Sequence, residues 1–296
     1  MENRIWFLVI SLGVLWGSSF LFVEILLQYL NPITIVFLRV SIASAVLISF
    51  IVASKQTYPL SASDLISLLI MGFFNNVIPF TFITIGQQTT TGGLASILNA
   101  NTSILTILLA AILIPSEKLT LNRIIGVFIG LMGVMIAIGY QNIFQFLENS
   151  IGKYFILLAT VSYAFASIWA KLKLTHLPSL IAAAGMLTMS SLILSPFVII
   201  YHSNELLNIN VTILLWSVLF AVLCSVIAYF LYFKILESTG AGNLLICTII
   251  IPPSAIILDA FVLGQVILLI EFVGMIVIIL GLIILDGRIL NLKNKA

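Results

Sequence analysis

What this sequence has least of is charge. Charged residues make up 7% of its 296 positions and hydrophobic ones 62%, where a soluble domain carries roughly 25% charge. No soluble fold hides that much apolar surface, so a bilayer is the expected solvent. Histidine and cysteine are almost absent, two of each. Cys224 and Cys247 sit inside apolar runs and imply no disulfide framework. His176 and His202 fall in separate connectors, and no acids are paired, which leaves no constellation for metal or acid–base chemistry. The net charge of +2 comes from a few scattered cations and points to no nucleic-acid partner, and none is expected. No glycine pair is followed by Gly-Lys-Ser/Thr, so no phosphate loop is present and no cofactor is expected.

What is there is a series of long apolar runs. A spanning helix needs about 20 such residues, and ten candidates lie at about 5–28, 32–54, 64–87, 92–114, 121–140, 152–172, 178–201, 211–233, 241–263 and 266–285. At 87–92 and 263–266 periodicity alone permits one long helix. The opening "MENRIWFLVISLGVLWGSSF" lacks a small-x-small cleavage site and continues to spanning length, so it reads as the first span rather than a leader. With the N-terminus inside, Arg4, Lys55, Lys118, Arg123, Lys171, Lys173, Lys234, Arg288, Lys293 and Lys295 are all cytoplasmic. Lys153 alone falls outside and Arg39 within a span, so the positive-inside rule puts both termini in the cytoplasm.

One segment occurs twice. "SEKLTLNRIIGVFIGLMG" (116–133) lies over "GQVILLIEFVGMIVIILG" (264–281) at an offset of 148, with Gly126 and Gly133 on Gly274 and Gly281. The copy loses its cations: Val266 stands for Lys118 and Glu271 for Arg123. Five helices per half is an odd number, so the second half enters the membrane inverted and its turn faces outward. Fainter matches put "WGSSFLFVE" (16–24) over "YAFASIWAK" (163–171) and "VIPF" (77–80) over "VIAY" (226–229). The expected fold is therefore all-α and membrane-integral: ten helices in two inverted five-helix repeats, 1–145 and 146–296, around a central cavity. Such repeats are a transporter signature.

Trp16-Gly17-Ser18-Ser19-Phe20, then Pro32 with Arg39 in "NPITIVFLR", and above all Gly92 to Gly133 with Glu117 before the fifth span, resemble the drug/metabolite transporter superfamily, specifically its ten-helix EamA-type members. The resemblance spans nearly the whole chain in two copies. It implies a transporter and leaves the substrate open. Two departures stand out: Ile104 where the second half has Pro252, and Gln265 where a glutamate is usual.

Polar residues on a spanning helix must face protein or water. Asn76, Phe80, Thr84 and Gln87 share one face of the third span, and Gly92, Ser96, Asn99, Ser103 and Thr106 one face of the fourth; together they are expected to line a polar cavity. Prolines free carbonyls, so Pro252-Pro253 is expected to interrupt the ninth span near Thr248, and Pro79 to free the Asn75 carbonyl. Trp16, Tyr163, Trp169, Tyr229 and Tyr232 lie within spans, with Trp16 and Tyr163 repeat equivalents. Substrate contacts are thus expected from Trp16, Ser19, Asn76, Phe80, Asn99, Ser103, Tyr163, Tyr229 and Thr248. Of the charges in or near spans, Glu24 and Arg39 are expected to form a structural or gating pair. For proton coupling Glu24 is the first candidate, because its span carries Trp16-Gly17-Ser18-Ser19, and Asp259 is the second; Glu271 lies near the interface. Gly13-xxx-Gly17 and Gly126-xxx-Gly130 allow close helix approach.

The functional expectation is a secondary active exporter or exchanger of a small metabolite such as an amino acid, working by alternating access in the cell (inner) membrane. The proton is the candidate coupling ion, and a monomer is an adequate unit. The alternatives are a cation/drug antiporter, against which the acid-free "GVLWGSS" of the first span speaks, and, remotely, a multi-spanning membrane enzyme.

Overall fold

The computed structural model describes residues 3–55, 58–113, 121–138, 151–239 and 244–286. The 145/146 boundary, Glu117, Lys118, Arg288, Lys293, Lys295 and the side chain of Arg123 lie outside the described residues. Within them the chain is helical throughout: α1 (Asn3–Leu27), α2 (Pro32–Ala53), α3 (Ala62–Gln87), α4 (Gly92–Leu113), α5 (Leu121–Ile138), α6 (Ile151–Lys173), α7 (Ser179–Tyr201), α8 (Val211–Thr239), α9 (Leu244–Leu263) and α10 (Leu269–Asp286). A short helix, Ser203–Leu207, links α7 to α8. Seven of these elements are long and apolar enough to cross a membrane, and shorter apolar stretches occupy α5, α9 and α10. Large apolar side chains such as Phe7, Ile199 and Phe261 stand exposed on the flanks, as suits a surface covered by lipid rather than water.

Local chemistry sets the helix starts. Asn31 caps α2, its side chain accepting from the Ile33 N–H, and Pro32 fills the first turn where no amide donor is needed. Ser61 and Asp64 form a reciprocal capping box on α3. Thr91 caps α4, which settles the 87–92 ambiguity as a turn. Gly264, at φ +66, ends α9 in the left-handed region that glycine adopts without strain, and α10 begins afresh at Leu269.

Helix α3 contains a π turn at Phe73–Val77, where the Ile78 N–H reaches the Phe73 carbonyl. Helix α8 contains another at Val222–Ile227, where Ala228 N–H reaches Leu223. The two are in the register that aligns "VIPF" with "VIAY". Only the first is followed by a proline, Pro79, so proline is not their common cause. The interruption expected in the ninth span falls in the fourth instead. Helix α4 breaks at Ala100, between Asn99 and Asn101, residues of low helix propensity. Helix α9 runs continuous through Pro252 and Pro253, braced by α1: a β-carbon at Gly13 would lie 2.6 Å from Ile250 Cβ, and one at Gly17 2.7 Å from Ser254 Cβ.

Packing pairs α5 with α10, α2 with α7, α1 with α9, and α6 with both α3 and α4. The α5–α10 seam is made by glycines, with Gly281 against the Gly130 backbone and Gly133 against the Ile278 backbone. The two copies of the duplicated segment are thus each other's partners.

Candidate functional site

The centre is organised by Arg39 of α2, which is buried. Its Nε donates to Ser225 Oγ at 3.1 Å and Nη2 to the Cys224 carbonyl at 3.3 Å, both in the α8 π turn. The guanidinium lies between the rings of Phe80 (3.8 Å to the centroid) and Phe220 (4.5 Å). Among the described residues no carboxylate pairs with it, and Nη1 has no hydrogen-bond partner. The expected Arg39–Glu24 pair is therefore not formed. Buried cations are ordinarily paired, and here ring faces and two oxygens stand in for an acid. Tyr163 and Tyr229 act electrostatically on Arg39, Phe80 and Tyr163 meet edge to face at 6.4 Å, and Asn75 is a hydrogen-bond neighbour of Tyr229.

Three expected substrate contacts, Phe80, Tyr163 and Tyr229, thus converge on one cation. Others do not join them. Asn76 is fully buried, and its Nδ2 donates to Ser190 Oγ on α7 at 3.0 Å, so it ties helices together instead of lining an open space. Thr84 bonds the Phe80 carbonyl and Ser96 that of Gly93, each closing its polarity within its own helix. Ser19 does the same with Trp16, whose ring lies 6.0 Å from that of Tyr232. Thr106 bonds Thr102, which reaches Asn99 Oδ1 at 3.5 Å. Ser103 donates to Thr248 across the α4–α9 contact at 3.4 Å. The crevice beside Thr248 and Pro252 has no room for a water molecule, so the cavity expected there is closed. Trp169 donates to the Ser67 carbonyl.

Open volume lies at one end of the bundle. A cleft of about 530 Å³ is lined by Glu24, Gln28, Gln87, Gln88 and Gln265, with Leu27 and Leu263. Glu24 Oε1 accepts from the Gly92 N–H at the start of α4 at 3.0 Å, and Gln265 Nε2 lies 3.0 Å from both Glu24 oxygens. Asp259 sits beside them, buried. Glu271 accepts from the Leu268 N–H at the start of α10. Sequence reasoning missed Ser225 and Cys224, although the repeat register that carries Phe80 onto Tyr229 carries Asn76 and Asn75 onto them.

A multi-pass helical membrane protein with a charged centre and a polar cleft is the class this architecture defines. The chain belongs to the EamA-like transporter family, whose model matches twice, over residues 3–139 and 150–285. It is 22% identical over 281 residues to an uncharacterized transporter of Archaeoglobus fulgidus, covering 94% of this chain and 97% of the relative. It is 26% identical over 277 residues to the uncharacterized transporter YetK of Bacillus subtilis, covering 90% and 82%. A solved crystal structure superposes with a TM-score of 0.69 at 17% identity over 100% of both chains, a likeness of fold alone.

Proposed function

We propose that the protein is a secondary active transporter that moves a small metabolite, an amino acid or a related carboxylate, by alternating access between two inverted halves, 1–145 and 146–296. The carrying observation is Arg39, without a carboxylate partner among the described residues, held between the rings of Phe80 and Phe220 with Tyr163 and Tyr229 in electrostatic reach, at the point where both halves meet. A solute carboxylate at Nη1 would supply the missing counter-charge, and the rings a face for its apolar part. A cation in the same place would be repelled, which speaks against the cation/drug antiporter.

The inverted repeat is supported by symmetry of packing. The α1–α9 contact is matched by α6–α4, and α3–α6 by α8–α1, and each half carries a π turn in the same register. We assign both termini to the cytoplasm of the inner membrane, with the Glu24 cleft facing outward and the proton as coupling ion. Family membership supports a non-enzymatic role.

Three measurements test this. Single cysteines at Lys118 and Val266 should label from opposite faces; labelling from one face removes the inverted repeat. In proteoliposomes, counterflow of labelled amino acids should be competed by carboxylates and not by the matching amides. Arg39→Lys should weaken substrate affinity roughly tenfold to a hundredfold, the 1.5–3 kcal/mol of a charge-assisted hydrogen bond. Equal competition by amides would sink the carboxylate reading.

A further inference from the structure

Asp259 is 2% exposed, and neither carboxyl oxygen has a hydrogen-bond partner among the described residues. It lies at the buried edge of the cleft. Its Oδ2 is 2.7 Å from the point where a side chain on Gly92 would begin, and Gln87 Nε2 is 3.2 Å from that same point. The Gly92 N–H is the one that holds Glu24, so two carboxyls flank one helix start.

They are not equivalent. Glu24 accepts from Gln265 and Gly92, and an acceptor-only carboxylate is what such donors satisfy. Asp259 has no comparable donor: the Gly93 N–H is within electrostatic reach but outside hydrogen-bond geometry. A third buried acceptor, Gln87 Oε1, is also unpartnered. The orientation of that amide is fixed, because its Nε2 donates to the Phe20 carbonyl at 3.0 Å, which can only accept. What this edge of the cleft lacks is a donor. Two neighbouring carboxyls do not both ionise cheaply, and each buried acceptor left alone is costly.

We propose that Asp259 is the residue that carries the coupled proton, beside a Glu24 whose oxygens are already held by Gln265 and the Gly92 N–H. This rests on the transporter reading above and names the group that does the coupling. The proton enters from cleft water, bonds to an Asp259 oxygen, and leaves to water when the site opens to the other face; only an O–H bond forms and breaks. Glu24 on α1 is the charge that acts on Asp259. Helix α4 presents Gly92 and Gly93, α3 presents Gln87, and the turn before α10 Gln265, all uncharged. Lys153 of α6 and Glu271 of α10 act on one another.

The test needs no knowledge of the substrate. Difference infrared spectra of the reconstituted protein between mildly acidic and mildly alkaline buffer should contain the carbonyl stretch of a protonated carboxylic acid. That band should be lost in Asp259→Asn, and retained in Glu24→Gln at a shifted midpoint. A band retained in Asp259→Asn and lost in Glu24→Gln would hand the role to Glu24. No pH-dependent band in the wild type, or sodium-dependent heat stabilisation abolished by Asp259→Asn, would replace the proton by a metal cation and overturn the proposal. Melting temperatures confirm that both isosteric variants fold. If the Asp259 band is found but vesicles accumulate no solute under a proton gradient, the transport reading fails and the proton site stands.

Discussion

Gln265 Nε2 lies 3.0 Å from each carboxylate oxygen of Glu24, a contact between residues 241 positions apart. It gives a physical reason for an amide at this position: a glutamate here would add a third carboxyl to a site that already holds Glu24 and Asp259.

Gln265→Glu should therefore destabilise the protein by about 1–3 kcal/mol, the loss of a donor to a charged group. The loss should shrink as the pH falls and one of the crowded acids protonates. Gln265→Leu, which removes the donor and adds no charge, should lose less stability and recover less of it on acidification. Melting temperatures of the two variants across a pH series separate the effects, and parallel curves would show that charge crowding is not the cause.

Asn76→Leu should act on stability more than on transport. The bond it breaks, Asn76 to Ser190, is a tie between α3 and α7, and interhelical bonds of this kind in membranes are worth about 0.6 kcal/mol on average and up to about 1.7. Asn75→Leu, beside Tyr229, should instead lower flux. Comparing melting temperature with counterflow for the pair decides it, and the opposite ranking would return Asn76 to the transport path.

Gly281→Ala sets a β-carbon 2.6 Å from the Gly130 nitrogen and 2.8 Å from the Gly126 carbonyl. Backbone cannot rotate away, so the seam must widen, at a cost of about 1–3 kcal/mol. Gly264→Ala meets nothing within 4 Å, and its cost is conformational, about 1–2 kcal/mol for the left-handed region. A larger residue unbranched at Cβ should worsen the first substitution and change the second little. Thermal unfolding of Ala and Met variants at both sites reads this directly.

Glu205, in the connector before α8, accepts from the Asn31 N–H at 3.0 Å and lies 3.2 Å from His202 Nδ1. Partial burial works against its charge, but the Asn31 N–H, the Thr34 hydroxyl and His202 together more than offset it and hold its carboxyl below the ordinary range. A depressed carboxylate contributes stability that is present above the unfolded-state value and lost as pH falls through the folded one. Wild type should therefore exceed Glu205→Gln in melting temperature at neutral pH, and the gap should close on acidification. A gap that persists in acid would assign it to packing.

The spans were legible to within a few residues because caps and punctuation coincide: Asn31-Pro32, Thr91 and Gly264 each end a run with the residue that the backbone needs there. That Phe80, Tyr163 and Tyr229 lie within spans was legible, and the repeat set Phe80 over Tyr229, but the contact of Phe80 with Tyr163 was not read from it. Arg39's surroundings were not, because a helical pattern gives the face of a residue and not its neighbour across the bundle. Glu24 is on the preceding helix and reads as the natural partner, yet Arg39 turns to the α8 π turn. π turns leave no signature in periodicity when, as in α8, no proline marks them. Asn76 misled for a related reason: a polar stripe marks burial against something polar, and the hydroxyl of Ser190 meets that need as well as water would.

The α5–α10 seam has a consequence for how this chain can change over generations. Gly274 faces Ala137, Gly133 faces the Gly274 carbonyl, and Gly281 faces Gly126 and Gly130. Each copy of the duplicated segment is the mould in which the other was cast. A gain of volume in one is tolerated only with a loss in its counterpart, so the two copies cannot drift independently. Their glycines should vary as linked pairs among related chains, long after the cations, pores and polar groups of the two halves have diverged.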